Sequence, residues 1–199
     1  MSSRIRRVFT ELLILAGVVV VSLAARSALA DHYYIPSESM EHSLLVGDRV
    51  LVDKTAYGLR IPFTAIKLLE RGSPQRGEIF IFDSPESGVR LIKRIVAVAG
   101  DRVRVREGKL TINGERIELE NADDIEVFGE RTASLNLAAG GGPNFDEEAV
   151  PDGKVMVMGD NRGNSRDSRA FGFIPVDQIY GHAFRLYYRR GDGFVWKPV

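Results

Sequence analysis

Three separated stretches carry side chains that could do chemistry together. Pro36-Ser37-Glu38-Ser39-Met40 places Ser39 in a serine-rich turn, and Leu91-Ile92-Lys93-Arg94 sets Lys93 inside an apolar run. A long polar turn, Gly159-Asp160-Asn161-Arg162-Gly163-Asn164-Ser165-Arg166-Asp167-Ser168-Arg169, follows further on. Cutting an amide bond needs a nucleophile, a base to deprotonate it and donors for the developing oxyanion. A lysine serves as that base only when neutral, so its pKa must fall from about 10.4 to roughly 7–8. Burial among apolar groups acts in that direction by disfavouring the ammonium, and Leu91, Ile92, Ile95 and Val96 surround Lys93 in sequence. Arginine could not substitute, because it stays protonated. Taken singly, each stretch has an ordinary explanation: a serine turn, an edge or snorkelling lysine, a loop between strands. Their co-occurrence in one chain points to Ser–Lys hydrolase chemistry.

The elements that would position these residues read as strands. Val50-Leu51-Val52, Ile79-Phe80-Ile81-Phe82 and the run from Leu91 to Val98 are short, apolar or β-branched, and bounded by Gly, Asp or Pro. Val103-x-Val105, Leu110-x-Ile112 and Ile117-x-Leu119 alternate with period two around Glu107-Gly108 and Asn113-Gly114. Asn-Gly between alternating apolar residues is a strong hairpin signal. Val155-Met156-Val157-Met158 and Phe184-Arg185-Leu186-Tyr187-Tyr188 supply two more strands. Beyond the N-terminus no segment sustains a 3.6-residue apolar period. The stretch from about Asn121 to Gly153 is polar and Gly-rich, and reads as an insertion or long loop. The expected fold is mainly β, a compact barrel-like or two-sheet domain.

Composition removes several function classes. The 199 residues suit one domain, with 27 basic and 27 acidic residues and no net charge, so there is no electrostatic footprint for nucleic acid. The absence of cysteine excludes disulfides, a thiol nucleophile and thiolate metal sites. His32, His42 and His182 are scattered without metal-ligand spacing, so no metal or cofactor is expected. At the N-terminus Arg4, Arg6 and Arg7 precede an apolar stretch, Leu12 to Ala25, that ends near Ala28-Leu29-Ala30. That pattern suits a cleavable signal peptide; counted from Val8 to Ala30 it also suits a single membrane span. In either case the basic end stays cytoplasmic and the remainder crosses. Apolar residues between Ile61 and Leu69, and Phe194-Val195-Trp196, are candidates for the bilayer interface as well as for the core.

The joint pattern resembles the type I signal peptidase family. The resemblance rests on Pro36-Ser37-x-Ser39-Met40 with Leu44 and Gly47-Asp48, on Ile92-Lys93-Arg94 with Gly100-Asp101, and on Gly159-Asp160-Asn161 with Ser165-x-Asp167-Ser168-Arg169 and Gly172-x-Ile174-Pro175. It implies Ser39 as nucleophile, Lys93 as general base, and an oxyanion hole from the Ser39 N–H and the Ser37 hydroxyl. It further implies that Ser165 orients the lysine and that Asp160, Asp167 and Arg169 support the site. Ile35, Met40, Leu44 and Ile92 would line shallow pockets for alanine at substrate positions −1 and −3. The chain departs from the family's Met-x-Pro-Thr-Leu with Met40-Glu41-His42-Ser43-Leu44, and carries Glu38 between the two serines.

The resemblance favours anchoring over cleavage of the N-terminus. It implies a cytoplasmic segment 1–7, a transmembrane helix over 8–30 and an extracytoplasmic catalytic domain over 31–199, single-pass in the bacterial inner membrane. The implied partners are exported preproteins as substrate and the lipid bilayer. Two other readings stand beside it: a Ser–Lys peptidase with one dedicated substrate, and an exported, non-catalytic β-domain.

Overall fold

A computed structural model describes residues 7–19, 30–57, 59–60, 67–69, 72–119 and 122–199. Among the described residues helix α1 (residues 7–19) comes first, and then strands β1 (Ala30–Tyr34), β2 (Arg49–Asp53), β3 (Leu59–Arg60), β4 (Lys67–Leu69), β5 (Ile79–Asp83) and β6 (Arg90–Val98). Next come β7 (Arg102–Arg106), β8 (Lys109–Ile112), β9 (Glu115–Arg116), β10 (Glu118–Leu119), β11 (Ala122–Phe128), β12 (Arg131–Ser134) and β13 (Phe145–Ala149). The last part holds β14 (Lys154–Met158), the one-turn helix α2 (Ser168–Phe171), β15 (Ile174–Pro175), β16 (Ile179–Arg189) and β17 (Gly193–Pro198).

Eight strands form the main sheet in the order β1-β2-β16-β5-β6-β14-β15, with β17 hydrogen-bonded to β16. Its neighbouring strands pair antiparallel. The expected mainly-β fold is what the chain adopts. β6 lies in the interior, so Ile92 to Ala97 are buried without alternation and carry Lys93 and Arg94 down with them. Strands buried on both faces read as continuous apolar runs for this reason. A smaller sheet, β13-β7-β8-β9, alternates as expected: Val103, Val105, Leu110 and Ile112 point inward while Arg102, Arg104 and Arg106 face out. Its two hairpin turns, Glu107-Gly108 and Asn113-Gly114, have both central residues at positive φ, the geometry whose twist matches paired strands.

Two expectations need correction. The segment 121–153 is not a long loop. β11 and β12 form a hairpin within a third sheet, β10-β11-β12, and β13 pairs with β7. Its apolar side chains are few, but Phe128, Ala133, Leu135 and Val150 are all buried in the core shared with Val103 and Val105. Polar outward faces and register shifts in β10–β11 and β13–β7 hide the alternation. The run Ile117-x-Leu119 does not extend the β7–β8 hairpin either: the strand that stays with β8 is β9, before it, while Leu119 belongs to β10, which joins β11.

No helix among the described residues is long and apolar enough to cross a membrane. α1 spans residues 7–19, about 20 Å at 1.5 Å per residue. Ala30, expected at the end of the apolar segment, opens β1 opposite Asp53. Residues 1–6 and 20–29, which hold most of the cytoplasmic segment, the rest of the span and Ala28-Leu29, lie outside the described residues, as do residues 61–66 of the second apolar run.

The fold gives a stability expectation. Ile112 is buried in the core of the small sheet, far along β8 from the Glu107-Gly108 turn. Ile112→Ala should cost about 2–5 kcal/mol in urea unfolding at an unchanged folded-state spectrum.

Candidate active site

Ser39 sits in a 3-10 turn, Glu38–Met40, between β1 and β2. The turn is pinned at its base by Ile35 N–H donating to Asp48 O at 2.9 Å and Gly47 N–H donating to Ile35 O at 3.0 Å. Behind it Leu44 N–H donates to Met40 O at 2.8 Å, so the nucleophile candidate rides on a folded-back loop. β6 brings Lys93 to it. Lys93 Nζ donates to Ser39 Oγ at 2.7 Å and to Ile92 O at 3.1 Å. Both side chains are buried, with residue exposures of 3% for Lys93 and 7% for Ser39. Burial drives the Lys93 pKa down from its ordinary value to about 8; Asp167 and Asp160 pull it back up, and Arg169 pushes it down.

Ser37 Oγ lies 3.3 Å from Ser39 Oγ, on the same face of the turn. Ser165 is also brought to the site, though not through a bond to the lysine. Its buried Oγ has no hydrogen-bond partner among the described residues. It packs instead against Gly159, where an added Cβ would overlap both Ser165 Oγ and Ser39 O. Only a residue without a side chain fits that approach.

Around the pair stands a set of buried ions. Asp160 takes a two-pronged contact from Arg94, Nε to Oδ1 at 2.9 Å and Nη2 to Oδ2 at 2.7 Å. Arg94 also donates to Gly77 O and to Ser43 Oγ. Asp167 is gripped the same way by Arg169, both bonds at 2.8 Å, and accepts from Gly159 N–H at 3.1 Å. Asp167 also precedes α2 and accepts from Arg169 N–H, so one carboxylate caps a turn and orients a guanidinium. Arg169 reaches on to Gly141 O and Arg162 O. Asn161 N–H donates to Ser39 O at 3.1 Å, tying this loop to the serine turn.

Sequence reasoning missed Arg94 as a partner, as well as the fully buried pair Arg162 and Glu126. Arg94 had a signal, a second cation beside Lys93 in an apolar strand. Glu126 had none, being one acid in a polar segment.

A cleft of about 420 Å³ opens beside the pair, walled by Ser37, Ser39 and Lys93 on one side and by Val89, Leu91 and Phe171 on another. Glu38 and Asn164 share its rim, Asn164 Nδ2 donating to Glu38 Oε2 at 3.1 Å. Ile35, Met40, Leu44 and Ile92, expected along the walls, are placed behind it. They are packed into the core with Val50, Val52 and Ile79. Among the described residues no three His, Asp or Glu side chains converge to hold a metal ion.

Residues 5–188 match the family model described as signal peptidase, peptidase S26. The chain is 34% identical over 195 residues to a signal peptidase I of Pseudomonas fluorescens, covering 85% of this chain and 69% of that one. It is 31% identical over 218 residues to a signal peptidase I of Aquifex aeolicus, with coverages of 86% and 80%. A crystal structure of a signal peptidase I from Enterococcus faecalis V583 matches at 31% identity with a TM-score of 0.40, over 56% of this chain and 97% of that chain. The family match and the two relatives in sequence make the chain a serine peptidase. It belongs to the signal peptidase family, peptidase S26.

The burial of Lys93 has a thermodynamic signature. Its folded-state pKa near 8 lies below the unfolded value, so between about pH 8 and 10.4 the unfolded chain binds more protons and stability rises with pH. Lys93→Met, which removes the buried amine, should therefore be more stable than the natural chain at pH 7, by on the order of 3 kcal/mol. The gap should narrow as pH rises above 8. Paired urea titrations at pH 7 and pH 9.5 measure it.

Proposed function

We propose that this chain removes signal peptides from exported preproteins, cutting after small residues in an Ala-x-Ala pattern. The observation that carries the reading is the Lys93 Nζ contact to Ser39 Oγ at 2.7 Å in a buried site. Neutral Lys93 takes the Ser39 proton as Oγ adds to the scissile carbonyl carbon. The carbonyl oxygen gains the charge and is met by the Ser39 N–H and the Ser37 hydroxyl. The lysine ammonium then protonates the leaving amine, and the acyl-enzyme remains on Ser39. Deprotonated again, Lys93 activates a water that releases the signal peptide as a carboxylate.

In this scheme the Ser165 hydroxyl, buried and without a hydrogen-bond partner among the described residues, is the group free to turn to the lysine and orient it, and Asp160, Asp167 and Arg169 hold the loop that carries it. Ile35, Met40, Leu44 and Ile92 set the depth available to the substrate. A bulky side chain at position −1 or −3 would have to displace packed core, whereas alanine would not.

The same reading places the enzyme at the bacterial inner membrane: residues 1–7 cytoplasmic, 8–30 as a single-pass anchor, 31–199 outside. Support comes from α1, where Val8, Phe9, Leu12, Leu13, Leu15 and Val18 are exposed together, a helix surface suited to an apolar surrounding. It also comes from β17, where the Phe194 and Trp196 rings stack at 6.3 Å and stand 76% and 57% exposed. Aromatic side chains at a sheet surface suit the headgroup region.

Ser39→Ala and Lys93→Arg should each lower cleavage of an Ala-x-Ala preprotein by at least about 10³-fold while the fold persists. The ascending limb of kcat/KM should have its midpoint near pH 8, the lysine's value in the fold. Near-natural activity in either variant would remove the mechanism. In vesicles carrying depth-resolved quenchers, Trp196 fluorescence should be quenched at interfacial depth; emission insensitive to the quenchers would remove the membrane contact of β17.

A further inference from the structure

We infer that Glu126 is a positioning residue of the active site, acting through Arg162 on the Gly159 peptide that seats Ser39 and Ser165. This inference rests on the Ser39–Lys93 reading above and extends it to a strand of the hairpin segment, which supplies none of the residues of that reading.

The loop from Gly159 to Arg169 has little ladder of its own, only one 3-10 turn and the one-turn helix α2. Its path is therefore set by a few backbone bonds to Asn136 and Ser39 and by side chains that reach its backbone. Gly159 is held at both ends of its polar groups. Its N–H donates to Asp167 Oδ2 at 3.1 Å, and its carbonyl accepts from Arg162 Nε at 3.2 Å. Its α-carbon is wedged against Ser39 O and Ser165 Oγ with no room for a Cβ. A shift of Gly159 is thus transmitted to the nucleophile's own carbonyl, to which Asn161 N–H also donates.

Arg162 is completely buried, as is Glu126. Besides Gly159 O it bonds Gly108 O and both carboxylate oxygens of Glu126, the Nη1–Oε1 distance being 2.7 Å. A buried guanidinium stays where it is only while its charge is met; Asp160 and Asp167 also act on Arg162 through space, but Glu126 is the largest opposite charge, and its removal leaves the cation undercompensated. Glu126 is the only carboxylate bonded to it among the described residues. Glu126 lies on β11, in the segment whose polar sequence read as a loop. The chain just beyond that hairpin grips the same loop through its backbone: Asn136 N–H donates to Asp160 O at 2.9 Å, and Arg162 N–H to Asn136 O at 3.1 Å. The hairpin segment is a buttress that sets the active-site loop in place, with Glu126 as its charged contact.

The test uses the full chain in detergent with an Ala-x-Ala preprotein, comparing the natural protein, Glu126→Gln, Glu126→Asp and Ile112→Ala. Glu126→Gln keeps the shape and removes the charge; kcat should fall about 10²-fold with KM essentially unchanged, as for a misplacement transmitted to the reacting atoms. Glu126→Asp, which keeps the charge, should recover part of that loss and stands in if the glutamine variant does not fold. Ile112→Ala, destabilised in the same core, should retain kcat. Amide hydrogen exchange on the same samples needs no substrate. Gly159 and Asn161 amides should exchange roughly tenfold faster or more in Glu126→Gln while β6 stays protected. Unchanged exchange at those two amides overturns the inference, and so does an equal fall of kcat in Ile112→Ala. A natural protein that cleaves nothing would instead overturn the proposed function, and the exchange comparison would still decide the role of Glu126.

Discussion

Burying the Lys93 amine takes a group that ordinarily titrates near 10.4 into a strand between Ile92, Ile95 and Val96, where its ammonium form is penalised. A carboxylate close enough to pair with it would restore the charge and cancel the effect. Among the described residues none does so: Asp160 and Asp167 act on Lys93, but their oxygens are already engaged by Arg94 and Arg169. Arg169 itself adds to the lowering of the lysine. The two arginines thus do two jobs at once. They neutralise anions that would otherwise recharge the amine, and they leave the hydroxyl of Ser39 as its nearest side-chain acceptor.

Stability alone does not explain so many buried ions. Replacing buried ion pairs by apolar side chains is often neutral or stabilising, because desolvation consumes most of the Coulomb attraction. What these arginines supply is geometry. Arg94, Arg162 and Arg169 each fix a planar fork on a carboxylate and spend remaining donors on backbone carbonyls of otherwise unladdered chain. A lysine could match the charge but not the fork. The loop that faces Ser39 is in this way specified residue by residue, with no sheet of its own.

The sequence made much of this legible, for identifiable reasons. β5, β6 and β14 are continuous apolar runs, and β7 and β8 alternate cleanly around Glu107-Gly108 and Asn113-Gly114. Ser39, Lys93 and the Gly159–Arg169 block were legible through their co-occurrence, since each stretch alone has an ordinary explanation. β11 to β13 were not legible. Their inward residues are few, and their pairing is interrupted by register shifts, so neither period nor apolarity marks them. Glu126 was hidden for a related reason: a buried charge looks like a surface charge until its partner is known, and Arg162 lies 36 positions away. Ile35, Met40, Leu44 and Ile92 were found as residues, but the sequence could not tell a pocket wall from the core behind it.

That last point bears on how narrow the specificity of such a site can be. Met40 follows the nucleophile candidate directly and is fully buried, its carbonyl holding Leu44 N–H, with Leu44 buried as deeply. Ile92 is the residue before Lys93 on β6, and its carbonyl accepts from the lysine amine. The side chains that limit substrate size in the proposed reading are therefore neighbours in sequence, and in hydrogen bonding, of the two groups that would do the chemistry. Carving a deeper pocket at Met40 or Ile92 would leave a void beside Ser39 or Lys93, and close-packed interiors respond to such voids by shifting. Selectivity for small residues and the alignment of serine with lysine then depend on the same packing, so a variant accepting larger side chains must find its room elsewhere, along the Val89, Leu91 and Phe171 wall of the cleft.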